Sequence, residues 1–501
     1  MEHTTGTAPE SMSFREERFK SGHFRRRRAL RSSIAVAVMA NLYVLPLAAE
    51  EWEITPTLEI EETYTDNVEL VSQQENKTDD FVTRITPGIS ISGVGARASL
   101  DLTYSPSFLI FLDASENSDF RQFLNARGNA ELSEDLVFLD LGASINQQFL
   151  DRGGAITSNQ SNVNDNRRTI QNYTISPYIQ RNLGTFATAT LRYRASYTDS
   201  ARPGTEVELN DILSDTYRHD ASALLSSGQR FTRFRWDVEA SYEKLDRQAG
   251  RADSETTTLR LLGTYVVNRM VSLVGSIGYE DFNDGTLQRR PDGVIWDAGV
   301  TLTPGPRTTL TVRGGRRYGD DNWSGDFTYE ISERTRITAG YTEELSNSQS
   351  VLLDELINNP DGDVVDPGGF SLIGSGFKRK RAFTSLSGER GRSGFSVSGF
   401  WEKRVPDSGS RIEENYGGSV RFNHRFSRYL SGNVQGSYQN TEFSETQTRE
   451  DDLYTGSAGL TYQLSQSISG GLTYIFTQRD STEPFREIRE NAVKVNVRAT
   501  F

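Results

Sequence analysis

Few residues of this sequence have the types and spacing that catalysis requires. The chain has no cysteine and four histidines, of which His3 and His23 lie in the first 49 residues. The other two, His219 and His424, are in no paired-histidine metal spacing, and neither a GxSxG nor an HExxH motif occurs. A membrane phospholipase would need a serine and a histidine that meet on one surface, and His219 leaves that alternative open. The sequence therefore predicts no catalytic site, no metal site and no cofactor.

One acidic stretch could hold a cation. Residues 347–376 contain five carboxylates and no basic side chain. Calcium prefers oxygen ligands of this kind, but the spacing is not that of an EF-hand loop. The favoured interpretation is a solvated acidic loop. The five carboxylates are Asp354, Glu355, Asp361, Asp363 and Asp366.

A repeated tetrapeptide indicates the elements that must position any functional side chain. GLTY occurs at Gly459–Tyr462 and again at Gly471–Tyr474, around a polar Ser-Gln-Ser sequence. Alternate residues of both arms are apolar or aromatic, and the residues between them are small or polar, which is the period-2 pattern of β-strands. With a turn near Gln466, Leu460 faces Leu472, Tyr462 covers Gly470 and Tyr474 covers Ala458. The stretch therefore predicts a hairpin whose register is pinned by aromatic residues over small ones.

The same alternation recurs in about 22 segments from Trp52 to the last residue. The connectors between these segments alternate in length. Short ones fall at 133–135, 182–184, 268–269, 303–306, 332–334 and 465–467, and long polar ones at 65–80, 151–168, 199–214, 347–376 and 443–451. Short turns at one rim and long loops at the other are typical of a transmembrane β-barrel, in which closure of the sheet satisfies every backbone amide. We predict an all-β, antiparallel transmembrane barrel of about 22 strands that is monomeric and has no plug domain.

The strand pattern places charged side chains of both signs on the face opposite the apolar one. They are predicted to line the lumen, either as a ladder for a polar or anionic solute or as a salt-bridged lining of a hydrated interior. The predicted lumen-lining residues are Arg192, Arg194, Arg233, Arg235, Asp237, Glu239, Arg313, Arg421, Lys494 and Arg498. The first strand, Trp52–Tyr64, leaves little room for a plug, and 347–376 is the best candidate for a loop that folds inward.

The last strand provides an independent signal. One of its faces is apolar and ends in an aromatic residue at the C-terminus, whereas the other is polar. This resembles the signal by which bacterial outer-membrane proteins are recognised for insertion, so we expect the barrel-assembly machinery and outer-membrane lipid as partners. The predicted insertion signal consists of Val493, Val495, Val497, Ala499 and Phe501.

The N-terminus predicts secretion to the periplasm of a Gram-negative cell. Residues 25–28 are four arginines, 33–40 are mostly apolar, and 45–49 end in two alanines, so residues 1–49 are an N-terminal extension and signal peptide. A membrane-anchoring helix is the alternative, but the apolar run is short and is interrupted by Asn41 and Pro46. Removal of residues 1–49 takes away 8 basic and 4 acidic side chains and leaves 47 basic against 64 acidic, a net charge of −17. This balance argues against a nucleic-acid partner. Residues 50–501 form the predicted barrel.

One segment has a more specific resemblance. Thr55–Val68, which contains Tyr-Thr-Asp-Asn-Val, is followed by Asp80–Thr83 and by Thr86–Tyr104. Over residues 50–104 the chain resembles the PEP-CTERM system-associated outer-membrane barrel family, found beside exosortase and exopolysaccharide gene clusters. The resemblance implies a porin-like barrel that acts in polysaccharide export, with polysaccharide and periplasmic export components as partners. The family has no established catalytic residues to transfer, and Asn67 is predicted to cap the first outer turn.

Two functions therefore compete. The resemblance and the wide predicted lumen favour a passage for export of exopolysaccharide. A general diffusion porin for small polar solutes fits the lining equally well, and a structural or adhesive barrel that acts through its acidic loops is a third alternative.

Overall fold

A single antiparallel sheet of 22 strands forms the described part of the chain. The structure is a computed structural model, and it describes residues 49–115, 118–149, 151–163, 166–201, 215–247, 252–285, 287, 291–348, 350–351, 376–406, 412–444 and 448–501. The predicted signal peptide therefore lies, except for its last residue, outside the described residues. The strands, β1 to β22 in chain order, are Ala49–Thr65, Asp80–Gly95, Ala98–Phe111, Asp119–Ser133, Val137–Phe149, Arg167–Leu183, Ala187–Ala201, Thr216–Ser227, Phe234–Arg247, Ser254–Val266, Val271–Asp284, Asp292–Gly305, Thr308–Arg317, Asp320–Ser332, Thr335–Ser346, Phe377–Arg390, Ser393–Pro406, Ile412–Arg425, Leu430–Ser444, Thr448–Gln463, Ile468–Ser481 and Ile488–Thr500.

The sheet is closed. Each strand pairs antiparallel with its neighbours in sequence, and β22 pairs with β1 from Thr57↔Thr500 to Thr65↔Ala492. Closure leaves no unpaired sheet edge, which is the condition for strands to lie in hydrocarbon. The predicted barrel and its strand number are confirmed. No helix within the described residues is both long and apolar enough to cross a membrane.

The predicted hairpin register is confirmed. Leu460 pairs with Leu472, Tyr462 with Gly470, and Ala458 with Tyr474. Both tyrosines are exposed on the outer surface, where each lies across from a small residue. The first outer turn is also as predicted, because the Asn67 side-chain oxygen accepts a hydrogen bond from the Val71 amide at 3.0 Å.

The connectors separate into two rims. Ten turns of two to six residues form one rim, the short-turn rim, where β1 starts and β22 ends. The opposite rim, the long-loop rim, has every connector longer than six residues together with some shorter ones, and its two shortest connectors depart most from the alternation. One is the β13–β14 turn of Tyr318 and Gly319, both with positive φ. The other corrects the prediction of a long loop at 443–451: pairing continues to Ser444↔Thr448, so only residues 445–447 connect β19 and β20.

Apolar and polar residues are arranged inside out relative to a soluble protein. Large apolar side chains on alternate positions are exposed on the outer wall, for example Ile60, Ile277 and Val420 at 50%, 57% and 53%. The side chains between them are polar and are often buried, such as Glu61 and Thr63. An apolar outer band around a polar interior is the pattern expected of a barrel in lipid.

At Gly299 the interior wall is packed so closely that one added methyl group should lower the stability of the barrel measurably. A Cβ built at Gly299 on β12 would lie 2.1 Å from the Val312 carbonyl oxygen of β13, whereas a Cβ at Gly305 would meet nothing within 4 Å. Gly299→Ala must therefore push two paired strands apart, at a cost of about 1–3 kcal/mol. We expect the unfolding transition of detergent-solubilised Gly299→Ala to fall clearly below that of wild type, as followed by heat-dependent gel migration. Gly305→Ala is the matched control, and equal effects of the two would contradict the strand packing described.

Candidate functional site

The interior wall is the candidate functional surface. Cross-strand pairing places nine of the ten predicted lumen-lining residues on the same face as the buried Glu61, while Arg233 lies in the β8–β9 turn. They do not form one ladder, since they are spread over β7, β9, β13, β18 and β22. The shortest contacts of three of them are ion pairs: Arg192 with Asp140 at 2.7 Å, Arg313 with Asp297 at 3.2 Å, and Lys494 with Glu61 at 3.3 Å. Pairing of opposite charges leaves the lining mixed in sign.

Asp297 is the centre of one such cluster. Its carboxylate binds Arg313 and also Arg260, an interior-face residue of β10 that is not among the predicted lumen-lining residues. Arg260 lies in the sequence Leu-Arg-Leu-Leu, in which leucines occur on both faces of the strand. The pairing of Arg260 with Gly278 of β11 places the arginine on the interior face.

The β5–β6 connector enters the barrel. Residues 151–163 of this connector are here called the inner loop. Arg152 of the inner loop is 3% exposed and binds Glu402 of β17 at 3.1 Å and Glu413 of β18 at 3.8 Å. In a ring of 22 strands, β17 lies on the side opposite β5 and β6. The inner loop therefore extends across the lumen to the far wall.

A second anchor consists of arginines that bind the backbone of the inner loop. The Gly153 carbonyl oxygen accepts hydrogen bonds from Arg449 at 2.8 Å, from Arg486 at 3.1 Å and from Arg479 at 3.3 Å. Arg479 also donates to the Gly154 carbonyl. Charged donors make stronger hydrogen bonds than neutral ones, so this carbonyl cluster fixes the loop against β20, β21 and the β21–β22 connector.

A third anchor is a buried carboxylate on β22. Glu490 accepts hydrogen bonds from Asn159 at 2.7 Å and from Thr157 of the inner loop, and from Thr65 of β1 at 2.9 Å. Nearby, Ser161 donates to Glu61 at 3.3 Å. Buried polar groups need hydrogen-bond partners, and these contacts supply partners for the carboxylates of Glu490 and Glu61.

The inner loop fills one part of the lumen along the barrel axis and leaves another part open. On β22 the interior-face residues Glu490 and Ala492, towards the long-loop rim, are 0% and 1% exposed. Further along the same face, Lys494 and Asn496 are half-buried and Arg498 is exposed. On this side the half of the lumen near the long-loop rim is thus filled, and the half near the short-turn rim is open to water.

Most of the loop that is predicted to fold inward lies outside the described residues. Within 347–376 the structure describes only 347–348, 350–351 and 376, and the acidic residues Asp354 to Asp366 lie outside the described residues. Ser348, Ser350 and Val351 are buried, and Ser350 donates to Glu243 of the β9 interior face at 3.3 Å. In the described part of the chain a loop that crosses the lumen is 151–163, predicted only as a long polar connector. Its density of Asn, Ser, Thr and Gly is compatible with a polar lumen but does not by itself predict an inward position.

The two histidines lie on the outer wall. His219 makes a 2.8 Å hydrogen bond with Tyr193, and His424 one of 2.8 Å with Ser393. The His424 ring packs edge-on against Phe426, 4.7 Å between centroids, which is the environment of an aromatic membrane-interface girdle. No group of three or more His, Cys, Asp or Glu side chains in the described part of the chain is arranged to bind a metal ion.

Comparison with known proteins agrees with the barrel. Residues 394–501, which comprise almost all of β17 and the strands β18–β22, match the family described as "Putative beta-barrel porin 2". The chain has the fold of an outer-membrane β-barrel. The siderophore receptor PirA of Acinetobacter baumannii is similar in structure, with a TM-score of 0.52, 10% identity, and coverage of 90% of this chain and 80% of that one. The ferric-catecholate import receptor Fiu of E. coli K12 has a TM-score of 0.51, 9% identity, and coverage of 89% and 81%. At such identities the likeness shows the fold alone. No curated protein matches the sequence.

Proposed function

We propose that this outer-membrane barrel is a passage for polar solutes, that the inner loop narrows its outer half, and that its solute is a secreted polysaccharide. The observation that carries the proposal is the inner loop, which crosses a polar lumen and is held by side chains of the far wall. The porin-family match of the last strands supports a channel role. The short-turn rim faces the periplasm in barrels of this kind, so periplasmic export components are the expected partners there.

The contacts that anchor the inner loop favour a displaceable gate over a permanently open pore. They are mostly ion pairs and hydrogen bonds to wall residues. The apolar contacts lie at two places: Ile156 packs with Phe149 and Leu453, and Val163, at the end of the loop, packs against a second apolar cluster that includes Val68 and Val82. Polar contacts can be exchanged for contacts with a hydroxyl-rich solute or with water. A long polymer would have to displace the loop, and a loop held in this way can be displaced without unfolding any strand.

A general diffusion porin is the second candidate. The mixed charges of the lining, with Arg192–Asp140 and Arg313–Asp297 as examples, suit small polar solutes of either sign. The family match, which concerns porins, supports this alternative as directly as the first.

A deletion strain distinguishes the two candidates. We expect loss of the protein to reduce secreted polysaccharide strongly and to leave the uptake of small solutes, measured with radiolabelled glucose and glycine, unchanged. Expression of the wild-type chain from a plasmid should restore secretion. Normal secretion with slower uptake would overturn the export proposal in favour of the porin.

A further inference from the structure

Two phenylalanines pair across neighbouring strands on the interior face of the barrel. Phe383 of β16 pairs with Phe400 of β17, and both belong to the interior face that carries Glu402. Phe383 is 40% exposed although its surroundings are polar. Glu402, two residues from Phe400, is the residue that binds Arg152. The phenylalanine pair therefore lies next to the inner loop, on the side of the short-turn rim.

Glycines on the flanking strands leave room for these rings against the wall. Phe383 faces Gly340 of β15 and Phe400 faces Gly417 of β18. A Cβ at Gly340 would be 2.4 Å from the Phe383 ring, and one at Gly417 would be 3.0 Å from the Phe400 ring. Each ring therefore packs against a glycine backbone, where a larger side chain would displace it.

A row of hydroxyl groups runs beside the rings. Seven successive strands, β15 to β21, each place one serine or threonine on the interior face, and these residues pair with one another from strand to strand. On β16 and β17 the row lies two residues closer to the short-turn rim than Phe383 and Phe400. Within it Ser398 and Ser419 are hydrogen bonded at 2.8 Å, and its last member, Thr477, contacts Thr157 of the inner loop at 3.1 Å. The row is Thr338, Ser385, Ser398, Ser419, Ser437, Thr455 and Thr477.

From this arrangement we infer that Phe383 and Phe400 form a saccharide-binding platform at the entrance to the constriction. Sugar rings have apolar C–H faces that stack on aromatic rings and hydroxyl edges that exchange hydrogen bonds with serine and threonine. An apolar solute would exclude water from the hydroxyl row without replacing the hydrogen bonds that water makes, which costs free energy, and no charged residue belongs to the row. The inference deepens the proposed function, on which it rests, by naming neutral saccharide units as the ligand.

Binding of maltohexaose, a linear neutral probe, tests the platform directly. Isothermal titration calorimetry on the full chain in detergent should show binding to the wild type. Phe383→Leu and Phe400→Leu should each weaken it about 3- to 10-fold, the range for loss of an aromatic contact. Phe123→Leu is the matched control, because Phe123 lies on the interior face of β4, away from the platform, and it should bind as wild type does.

Thermal unfolding of each variant shows whether a weaker binding is caused by loss of the ring itself or by a less stable barrel. Absence of binding by the wild type, or equal weakening by Phe123→Leu, would overturn the platform. So would full binding by both platform variants. If the deletion strain secretes polysaccharide normally while the Phe383- and Phe400-dependent binding is found, the export proposal fails and the platform stands.

Discussion

Lysine at Val497 is expected to remove most of the folded protein from the outer membrane, whereas lysine at the adjacent Asn496 is expected to be tolerated. Val497 is 49% exposed on the outer wall and is the middle one of the five outward positions from Val493 to Phe501. A lysine there would place a charge in the hydrocarbon, at a cost of about 2–4 kcal/mol near the bilayer midplane. The strand also closes the barrel, since Val497 pairs with Ile60 of β1.

Asn496 is the matched control, because it lies on the same strand one residue away. Its side chain faces the lumen and donates a hydrogen bond to Glu59 at 3.1 Å. A lysine at 496 would lie in water beside that carboxylate. The measurement is the amount of heat-modifiable barrel in outer-membrane fractions of cells that express each variant. Equal levels of the two lysine variants would show that the faces of β22 are assigned wrongly.

Replacement of Arg152 by methionine is expected to release the inner loop and to enlarge the conducting pathway. Arg152 is a cation between Glu402 and Glu413, which are 2% and 1% exposed. Removal of one partner from a buried ion pair costs about 3–5 kcal/mol when the remaining charge is left uncompensated. Glu402 keeps Arg379 at 2.7 Å and Arg404 at 2.8 Å, so we expect the lower end of that range, about 3 kcal/mol. That free energy corresponds to roughly a 100-fold or larger shift of the loop towards the detached state. Single-channel recordings in planar bilayers should show larger or longer-lived openings than in the wild type.

Arg97→Met provides the comparison for this effect. Arg97 also pairs with a glutamate, Glu134 at 3.2 Å, but the two side chains are 56% and 77% exposed at the short-turn rim. Exposed ion pairs contribute about 0–1 kcal/mol, so its conductance should equal that of the wild type. Arg152→Lys keeps the charge without the two-pronged guanidinium and should fall between the other two. A wild-type conductance for Arg152→Met would mean that the inner loop does not control the pathway.

The sequence by itself determined the strands, their number and the pairing of neighbours. The Leu460↔Leu472 register follows from local information, namely the period-2 alternation of both arms and the length of the turn between them. An alternating pattern fixes which face of each strand meets lipid, because a shift by one residue exchanges the faces. The direction of Val497 and of Asn496 could therefore be predicted, as could the polar interior.

No comparable sequence pattern predicted that β19 and β20 extend into the region 443–451. Residues 443–451 are polar apart from Phe443 and resemble a loop in composition. Phe443 and Arg449 nevertheless pair in the ladder and are buried, at 2% and 9% exposure. In the part of the barrel beyond the apolar band, polar residues are as suitable for a strand as for a loop, so composition no longer distinguishes the two.

Only the tertiary structure decided where the inner loop lies. A stretch rich in Asn, Ser, Thr and Gly has the same composition whether water surrounds it outside the barrel or polar side chains surround it within the lumen. Its partners are distant in sequence: Arg152 and Glu402 are 250 positions apart, and Asn159 and Glu490 are 331 positions apart. Closure of the sheet brings β17 and β22 to face the β5–β6 connector, and the buried carboxylates there offer the hydrogen-bonding partners that make the inward position favourable.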